Sequence, residues 1–263
     1  MGNAKLTPRN ILVSLALKYK GEWDKITDAI RAKETPDEEL VEEASQTKAI
    51  TLLDPEYPSE LKQCYKPPLV LFYKGDISLL QHKGGSVAYV GSRDTTPYGT
   101  DTAREICSGL VKKGYAIVSG LARGIDSKAL TSALEAEGKA IAVLGSGIDN
   151  CYPNDCRPLY DALAEKGLII SEYPKDTPPT AEAFPFRNRI VAGLPKAVIV
   201  GEASRHSGTM VTVSYALSYN KDVGAVPFRA GEQSECNLLI KDGAFMIENA
   251  DDALIMLGDT RRA

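Results

Sequence analysis

The sequence predicts an α/β fold with a doubly wound, mostly parallel sheet, preceded by a small helical N-terminal module. Short apolar runs recur along most of the chain, and segments with a helical period separate them. The runs are continuous instead of alternating, which is typical of strands buried on both faces of a parallel sheet. With 263 residues, 43% of them hydrophobic and 25% charged, the chain is long enough and apolar enough to bury a full core.

The first predicted unit is a helical module over residues 1–50. Residues 9–19 and 22–33 have the pattern of two short helices, and Gly21 separates them. The charged segment KETPDEELVEEA that follows is either an exposed connection or a third helix. Its pattern indicates no specific activity, and a packing or dimerisation role is the simplest reading.

The second predicted unit is the α/β domain, residues 51–263. It opens with a proline-rich bridge over 54–80 around one strand-like run, LVLFYKG. Regular strands then follow at 86–91, 115–120, 139–145, 168–172, 197–201 and 223–227. Segments such as TDTAREICSGLVKKG and SKALTSALEAEG form the helices between them, so right-handed crossovers are expected.

Charge and hydropathy exclude several classes of protein. The net charge of −4 and the pI of about 5.4 exclude a uniformly basic protein but allow a local basic groove. No apolar run approaches the roughly 20 residues of a membrane span, and the N-terminus has no small-residue cleavage site. We expect a cytoplasmic protein with no membrane partner.

The cysteines do not predict a metal site. Five cysteines spread through a chain of this size indicate reduced thiols instead of a disulfide framework. Cys151 and Cys156 come closest to the spacing of metal ligands, but the two histidines, His82 and His206, do not complete a set.

Ligands of doubly wound sheets bind outside the carboxyl ends of the strands, so the loops after the strands are the candidate site. These loops are rich in glycines, hydroxyls and arginines, which together suit phosphate. The residues concerned are Gly91, Ser92, Arg93, Ser119, Gly120, Arg123, Ser207, Gly208 and Thr209. His206, in the last of these loops, is interpreted as a loop residue or a phosphate contact.

Known cofactor and catalytic patterns are incomplete. Gly145 and Gly147 resemble the start of a dinucleotide fingerprint, but the third glycine and the immediate helix are missing. There is no Walker-type loop and no suggestive Ser, His and Asp set. The sequence therefore predicts no cofactor and no catalytic residues.

The stretch FPFRNRIVAGL has two arginines around an asparagine at the start of a predicted helix. Pro185 suits the first helical position and Gly193 the position just past the end, which places Arg187, Asn188 and Arg189 in the first turn. Cations are unfavourable at a helix start, so they indicate an anion supplied from outside.

Two interpretations of this stretch remain open. In one, the arginines bind phosphates and Phe184 or Phe186 stacks on a base, a combination typical of single-strand binding. In the other, both phenylalanines close the core and the arginines pair with Glu172, Glu182 or Glu202.

An ordered series of motifs over roughly residues 54–247 resembles the DprA/Smf family, bacterial DNA-processing proteins of natural transformation (competence). The series comprises YPSEL, PPLVLFYKGD, VAYVGSR, TPYG, SGLARGID, IAVLGSGID with YP, SEYP, FPFRNRIVAGL, EASRHSGT and NLLIKDGA. The resemblance implies an extended Rossmann-like domain, a homodimer, single-stranded DNA bound in a basic pocket, and loading of the recombinase RecA. It also implies no catalytic centre, and the helical module resembles a sterile-alpha-motif-like domain.

The resemblance assigns Arg93 to a backbone phosphate and places Phe184 where an aromatic ring meets a base. The predicted DNA-binding residues are Gly91, Ser92, Arg93, Ser119, Gly120, Arg123, Lys175, Phe184, Arg187, Asn188, Arg189, Ser207, Gly208 and Thr209. For the dimer interface, the resemblance suggests the C-terminal part around FMIENADDALIML.

Some positions depart from the family pattern. Leu130, Cys156 and Phe228 stand where the family usually has other residues, and Lys175 with Asp176 occupies a spot that often has glycine. The sequence ends soon after NADDALIMLGD, so the winged-helix-like domain of many relatives is not expected within it.

Two other functions compete with DNA binding. A nucleoside-monophosphate phosphoribohydrolase of the lysine-decarboxylase-like, cytokinin-activating type shares the GSR signal, but its PGGxGTxxE glutamate falls on Val211 or Thr212 here. A purely structural partner-binding module leaves the arginines unexplained. Duplex DNA is disfavoured because no basic recognition helix is evident, so we expect tighter binding of single strands, with strong salt dependence and weak sequence dependence.

Overall fold

A computed structural model describes residues 6–175, 177–204, 207–229, 231–232 and 234–259. Its strands are β1 (Ala49–Thr51), β2 (Val70–Gly75), β3 (Ser86–Gly91), β4 (Ala116–Ser119), β5 (Ala140–Leu144), β6 (Leu168–Ser171), β7 (Ala197–Glu202), β8 (Asp222–Ala225) and β9 (Phe245–Met246). Its helices are α1 (Pro8–Lys18), α2 (Trp23–Arg31), α3 (Glu38–Gln46), α4 (Ser59–Lys62), α5 (Pro97–Lys112), α6 (Ile125–Glu135), α7 (Arg157–Lys166), α8 (Ala183–Gly193), α9 (Thr209–Ser218), α10 (Glu235–Lys241) and α11 (Ala250–Met256). Two 3₁₀ turns occur among the described residues, Ile77–Gln81 and Asn154–Cys156.

The strands form one sheet in the order β1-β2-β6-β5-β4-β3-β7-β8-β9. All neighbours from β6 to β9 in this order are parallel, while β2 runs antiparallel to both β1 and β6. The predicted mostly parallel sheet is confirmed. The chain builds outward from β3 to β6 on one side and from β7 to β9 on the other, so the strand order reverses between β3 and β7. A crevice therefore opens at the carboxyl ends of these two strands.

Both faces of the sheet are buried, which is why its strands read as continuous apolar runs. On β3, Val87 and Tyr89 belong to one hydrophobic cluster, and Ala88 and Val90 belong to the cluster on the opposite face. Successive side chains of a strand point to opposite faces, so helices must cover each side.

The N-terminal helices pack onto the same core as the sheet. Leu15 of α1 and Phe72 of β2 belong to one cluster, and α3 shows that the second half of the charged segment is helical. Gly21, with φ of +76°, lies against the backbone of Glu172, where a Cβ would come 2.3 Å from the carbonyl oxygen. Strand β1 spans the predicted domain boundary, and the division into domains stays a prediction.

Helix α8 begins earlier than the sequence predicts. The Thr180 hydroxyl accepts a hydrogen bond from the amide of Ala183 at 3.2 Å, so the helix begins at Ala183 and Pro185 is its third residue. Proline is tolerated there because the first turn needs no amide donors. Gly193 is the last helical residue, and its missing side chain makes room for Cys64, whose Sγ would lie 2.2 Å from a Cβ. Arg187 to Arg189 therefore lie in the second turn.

All five cysteines are buried free thiols, in agreement with the sequence prediction. Within the described residues, no cluster of three or more histidine, cysteine or acidic side chains could hold a metal ion. Within the same residues, none of the helices combines the length and the apolar character that crossing a bilayer requires.

Candidate nucleic-acid interface

Two adjoining cavities lie at the carboxyl ends of the strands, beside the crevice between β3 and β7. The larger has a volume of about 610 Å³ and the smaller about 330 Å³. They share walls formed by Arg93, Gly120, Phe184 and Arg187. We call them the larger cavity and the smaller cavity.

The structure brings most of the predicted DNA-binding residues to these cavities. Those that line the larger cavity are Gly91, Ser92, Arg93, Gly120, Phe184, Arg187, Asn188, Ser207, Gly208 and Thr209. Arg123 lines the smaller cavity. Ser119, Lys175 and Arg189 line neither of them.

Arg93 is the exposed cation at the junction of the two cavities. It follows β3 directly, and its guanidinium carbon lies 6.0 Å from the centre of the Phe184 ring. In the part of the chain that the structure describes, Arg93 pairs with no carboxylate. An exposed guanidinium can therefore form bidentate hydrogen bonds with a phosphate at little desolvation cost.

Arg187, in contrast, is buried and tied to the protein. Its Nη1 donates to the carbonyl of Gly120 at 2.6 Å and also to the carbonyl of Val143. Burial lowers the pKa of Arg187 to about 10, although Asp126 opposes that shift. Arg187 stays protonated at neutral pH, so it supplies a fixed positive charge to the cavity wall instead of a mobile ligand.

Asp126 is a buried carboxylate of the site that the sequence prediction missed. It accepts hydrogen bonds from the amides of Gly91 at 3.3 Å and Gly120 at 3.1 Å. Burial raises the pKa of Asp126, while Arg187 and the backbone amides partly offset the shift. An acidic residue in the first turn of the helix that follows β4, in SGLARGID, was the available signal.

The glycines at the strand ends act through size, not through free amides. A Cβ on Gly120 would lie 2.7 Å from both Arg187 Nη2 and Asp126 Oδ2, so only glycine leaves room for both charges. Because Asp126 takes the amides of Gly91 and Gly120, these two amides are not free to bind a ligand.

Two predicted hydroxyls also have protein partners. Ser119 is fully buried and its hydroxyl donates to the carbonyl of Tyr89 at 2.7 Å, so it holds β4 to β3. The hydroxyl of Ser92 donates to the carbonyl of Asp94 at 2.7 Å. Ser92 thus shapes the loop that carries Arg93. Ser119 is buried away from both cavities, so its predicted place in the site is wrong.

The start of α9 provides the polar wall opposite Arg93. Among the described residues, the buried Ser207 hydroxyl oxygen has no hydrogen-bond partner, and no side chain caps the helix at Gly208. Asn188 fixes this loop, since its Nδ2 donates to the carbonyl of Gly208 at 3.3 Å. A helix start favours an anion, and an unpartnered hydroxyl is available to bind one. His206 lies outside the described residues.

Arg189 is a structural residue. It is fully buried, and its two Nη atoms form a bidentate ion pair with Glu172 at 2.6 Å each. Its Nε donates to the carbonyl of Lys66 at 3.0 Å, and its guanidinium stacks on Phe186 at 3.8 Å. The ion-pair interpretation holds for Arg189, while Arg187 lines the cavities, and phosphate binding by Arg187 stays a prediction.

Lys175 pairs with Glu43 of α3 and so contacts the N-terminal helices. Its φ of +33° is in the left-handed region, where glycine is the residue that fits with least strain. Asp176 lies outside the described residues.

The departures from the family pattern occupy packed positions. Leu130 is fully buried on α6, and Cys156 is buried at the start of α7. Phe228 packs edge to face against Tyr98, with ring centres 5.2 Å apart. None of these three side chains lines either cavity.

Tyr152 and Asp155 complete the smaller cavity and were absent from the predicted site. The Tyr152 ring lies 5.5 Å from Phe184, and Asp155 pairs with Arg123 at 2.5 Å. The YP dipeptide after the third regular strand was the available signal.

The family model for DNA recombination-mediator protein A matches residues 48–258 of this chain. The chain belongs to this family. Protein Smf of Synechocystis sp. is 43% identical over 209 residues, which are 78% of this chain and 52% of that protein, so the chain spans about half the length of this relative. The resemblance to the DprA/Smf family is therefore confirmed.

Solved structures of the family share the fold. DNA processing protein A (DprA) of Streptococcus pneumoniae superposes with a TM-score of 0.77 at 33% identity, covering 96% of this chain and 94% of that one. DNA processing protein A of Helicobacter pylori, which has a single-stranded DNA binding mode, gives a TM-score of 0.73 at 32% identity, covering 80% of this chain and 96% of that one. The predicted fold class is confirmed.

Proposed function

We propose that this chain binds single-stranded DNA in the two adjoining cavities. One observation carries the proposal: the exposed Arg93, the Phe184 ring and the start of α9 line one cavity, and among the described residues the Ser207 hydroxyl there has no hydrogen-bond partner. This arrangement offers a cation and polar groups to a phosphate and an aromatic surface to the neighbouring base.

The shape of the site favours a single strand over a duplex. Phe184 lies within the wall that both cavities share, so a base must leave a stack to reach it. An unpaired base does so at little cost, whereas a paired base must also give up its partner. The DprA of H. pylori, whose chain is covered to 96%, has a single-stranded DNA binding mode, and this relationship supports the proposal.

The test is fluorescence anisotropy of a labelled oligo-dT strand at two salt concentrations, with a duplex of equal length beside it. Arg93→Glu should lose most of the affinity and reduce the salt slope by about 0.7 per phosphate contact. Arg104→Glu is the matched control, since Arg104 is 57% exposed and lies on the outer surface of α5. The affinity of Arg104→Glu for the oligo-dT strand should stay close to that of the wild type.

The opposite result would redirect the search. If neither DNA binds, nucleoside monophosphates are the next ligands to screen, because the phosphoribohydrolase alternative then takes first place. Release of a free base would identify that enzyme.

We further propose a homodimer formed through the C-terminal edge of the sheet. The supporting observation is a set of exposed apolar side chains on α10, β9 and α11: Leu238, Phe245, Met246 and Ile255, each 43% to 51% exposed. Apolar patches of this kind mark contact surfaces. Sedimentation should give a dimer at micromolar protein, and Met246→Glu should give a monomer; a monomeric wild type would contradict the proposal.

Family membership also supports a role in natural transformation, with loading of RecA onto the bound strand in the cytoplasm. The proposal predicts that the wild-type chain, and not Arg93→Glu, accelerates assembly of RecA filaments on DNA coated with a single-strand binding protein. Equal acceleration by both would separate RecA loading from the cavities.

A further inference from the structure

The smaller cavity has the dimensions and walls of a nucleobase site. Tyr152, 48% exposed, packs against Phe184 with ring centres 5.5 Å apart and planes at 38°. This is the ordinary separation of an aromatic pair, so a base would stack beside the two rings and not between them. Pro153 and Ala122 supply the remaining apolar wall of this cavity of about 330 Å³.

An ion pair forms the polar rim of the same cavity. Nη2 of Arg123 lies 2.5 Å from Oδ2 of Asp155, and the two side chains are 62% and 68% exposed. Neither side chain has another hydrogen bond or ion pair to the residues that the structure describes. The contact uses one nitrogen of the guanidinium and one oxygen of the carboxylate, so further donors and a second acceptor oxygen remain available.

Folding does not explain this pair. An exposed ion pair contributes little to stability because water solvates both charges well. The two residues also come from different segments, Arg123 after β4 and Asp155 after β5, and both line the smaller cavity. Their juxtaposition at the rim is better explained by a ligand that needs a donor and an acceptor side by side.

We propose that Arg123 and Asp155 read the edge of a base in the smaller cavity and make the chain prefer guanine. The inference rests on the proposed single-strand binding. Guanine presents an acceptor, O6, next to two donors, N1–H and N2–H, along one edge. Arg123 donates to O6 while the carboxylate of Asp155 accepts from N1 and N2.

The other bases match this pair less well. Thymine offers one donor between two acceptors, and one of those acceptors would face the carboxylate. Adenine and cytosine each offer a single donor group on this edge, so one carboxylate oxygen loses its water without gaining a partner. A purine also covers more of the aromatic wall than a pyrimidine does.

The test compares four labelled strands of equal length by anisotropy: oligo-dT and alternating dT-dG, dT-dA and dT-dC. In an alternating strand, the test base can enter the smaller cavity in half of the positions at which the strand can bind. Alternation also avoids runs of guanine. The dT-dG strand should bind about tenfold tighter than oligo-dT, the size expected for one good bidentate contact.

Variants assign the preference to the ion pair. Asp155→Asn replaces one acceptor oxygen by a donor, so the ratio of dT-dG to oligo-dT affinity should fall toward one. Asp161→Asn is the matched control, because Asp161 is 65% exposed on α7 beside Arg157 and should leave the ratio unchanged. Thermal melting of each variant checks that it is folded.

Two results would overturn the inference alone: equal wild-type affinity for all four strands, or a guanine preference that survives Asp155→Asn. Absence of binding to every strand would instead overturn the proposed function, and the base preference with it.

Discussion

Arg189 and Glu172 form a bidentate ion pair in the core, with both nitrogen–oxygen distances at 2.6 Å and Arg189 fully buried. The pair ties α8 to the end of β6, and α8 also carries Arg187 to the cavities. Arg189, the second arginine of the RNR motif, therefore holds α8 in place, and Arg187, the first, forms part of the cavity wall.

Replacing Arg189 by methionine should destabilise the fold strongly. The change leaves the Glu172 carboxylate buried without its partner, which costs about 3–5 kcal/mol and lowers Tm by roughly 10 °C for a chain of this size. Differential scanning calorimetry provides the measurement. The control is Arg104→Met. It removes the exposed ion pair between Arg104 and Asp101, which should contribute less than about 1 kcal/mol to the free energy of unfolding. An unchanged Tm for Arg189→Met would show that the ion pair is not structural.

Replacing Arg187 by glutamate should reduce DNA affinity and stability together. The sequence alone predicts a loss of binding with little change in Tm. In the structure, however, the Arg187 guanidinium donates to the carbonyls of Gly120 and Val143, and the substitution would leave both carbonyls without this donor. Each buried unpaired group costs about 1–3 kcal/mol. Urea unfolding and anisotropy on the same samples test this; Arg93→Glu, on an exposed side chain, should change only the affinity.

Adding a single methyl group at position 120 should disturb the site. In Gly120→Ala, the new Cβ would come 2.7 Å from Arg187 Nη2 and Asp126 Oδ2, so one of the two charges must move. We expect a stability loss of about 1–3 kcal/mol and weaker binding of oligo-dT. Gly208→Ala is the control for stability, because a Cβ there meets no atom within 4 Å. Equal stability of the two variants would contradict this account of Gly120.

The affinity for DNA should rise as the pH falls into the range where Asp126 takes up its proton. Burial raises the pKa of Asp126 above its usual 3.8, so its carboxyl takes up a proton at a higher pH than an exposed one. Protonation removes a negative charge from the cavity wall, and bound phosphates favour that proton further. The same raised pKa means that this group's contribution to folding stability falls as the pH increases from 3.8 through the folded-state pKa.

Asp126→Asn is the variant that tests this dependence. Wild type and variant share every other titratable group, so the difference between their slopes of affinity against pH reports Asp126. The wild type should show the steeper increase toward low pH. Identical slopes would assign the dependence to another group.

The sequence predicted the fold well because burial on both faces leaves a simple signature. Each of the regular strands from 86 to 227 is present, since continuous apolar runs between helical segments allow few other arrangements. The start of α8 was misplaced because Pro185 fits the first turn at more than one position, and the Thr180 hydroxyl fixes the actual start.

The site was predicted in position but not in every role. Arg93 and Ser207 follow β3 and β7, whose carboxyl ends adjoin, so topology alone brings them together, whereas Arg187 reaches the same cavity from α8. The sequence offers Glu172 as one of three possible partners for the arginines, but it does not choose among them, because the contact with Arg189 depends on how α8 packs against the end of β6. It also does not reveal that Asp126 takes the glycine amides that were expected to face a ligand.

Gly21 brings the helical module against the residue that anchors α8. Its α-carbon lies against the backbone carbonyl of Glu172, whose side chain holds Arg189 of α8. A Cβ at position 21 would lie 2.3 Å from that carbonyl oxygen, and the φ of +76° disfavours any residue with a side chain. Position 21 should therefore tolerate substitution poorly, although it lines neither cavity.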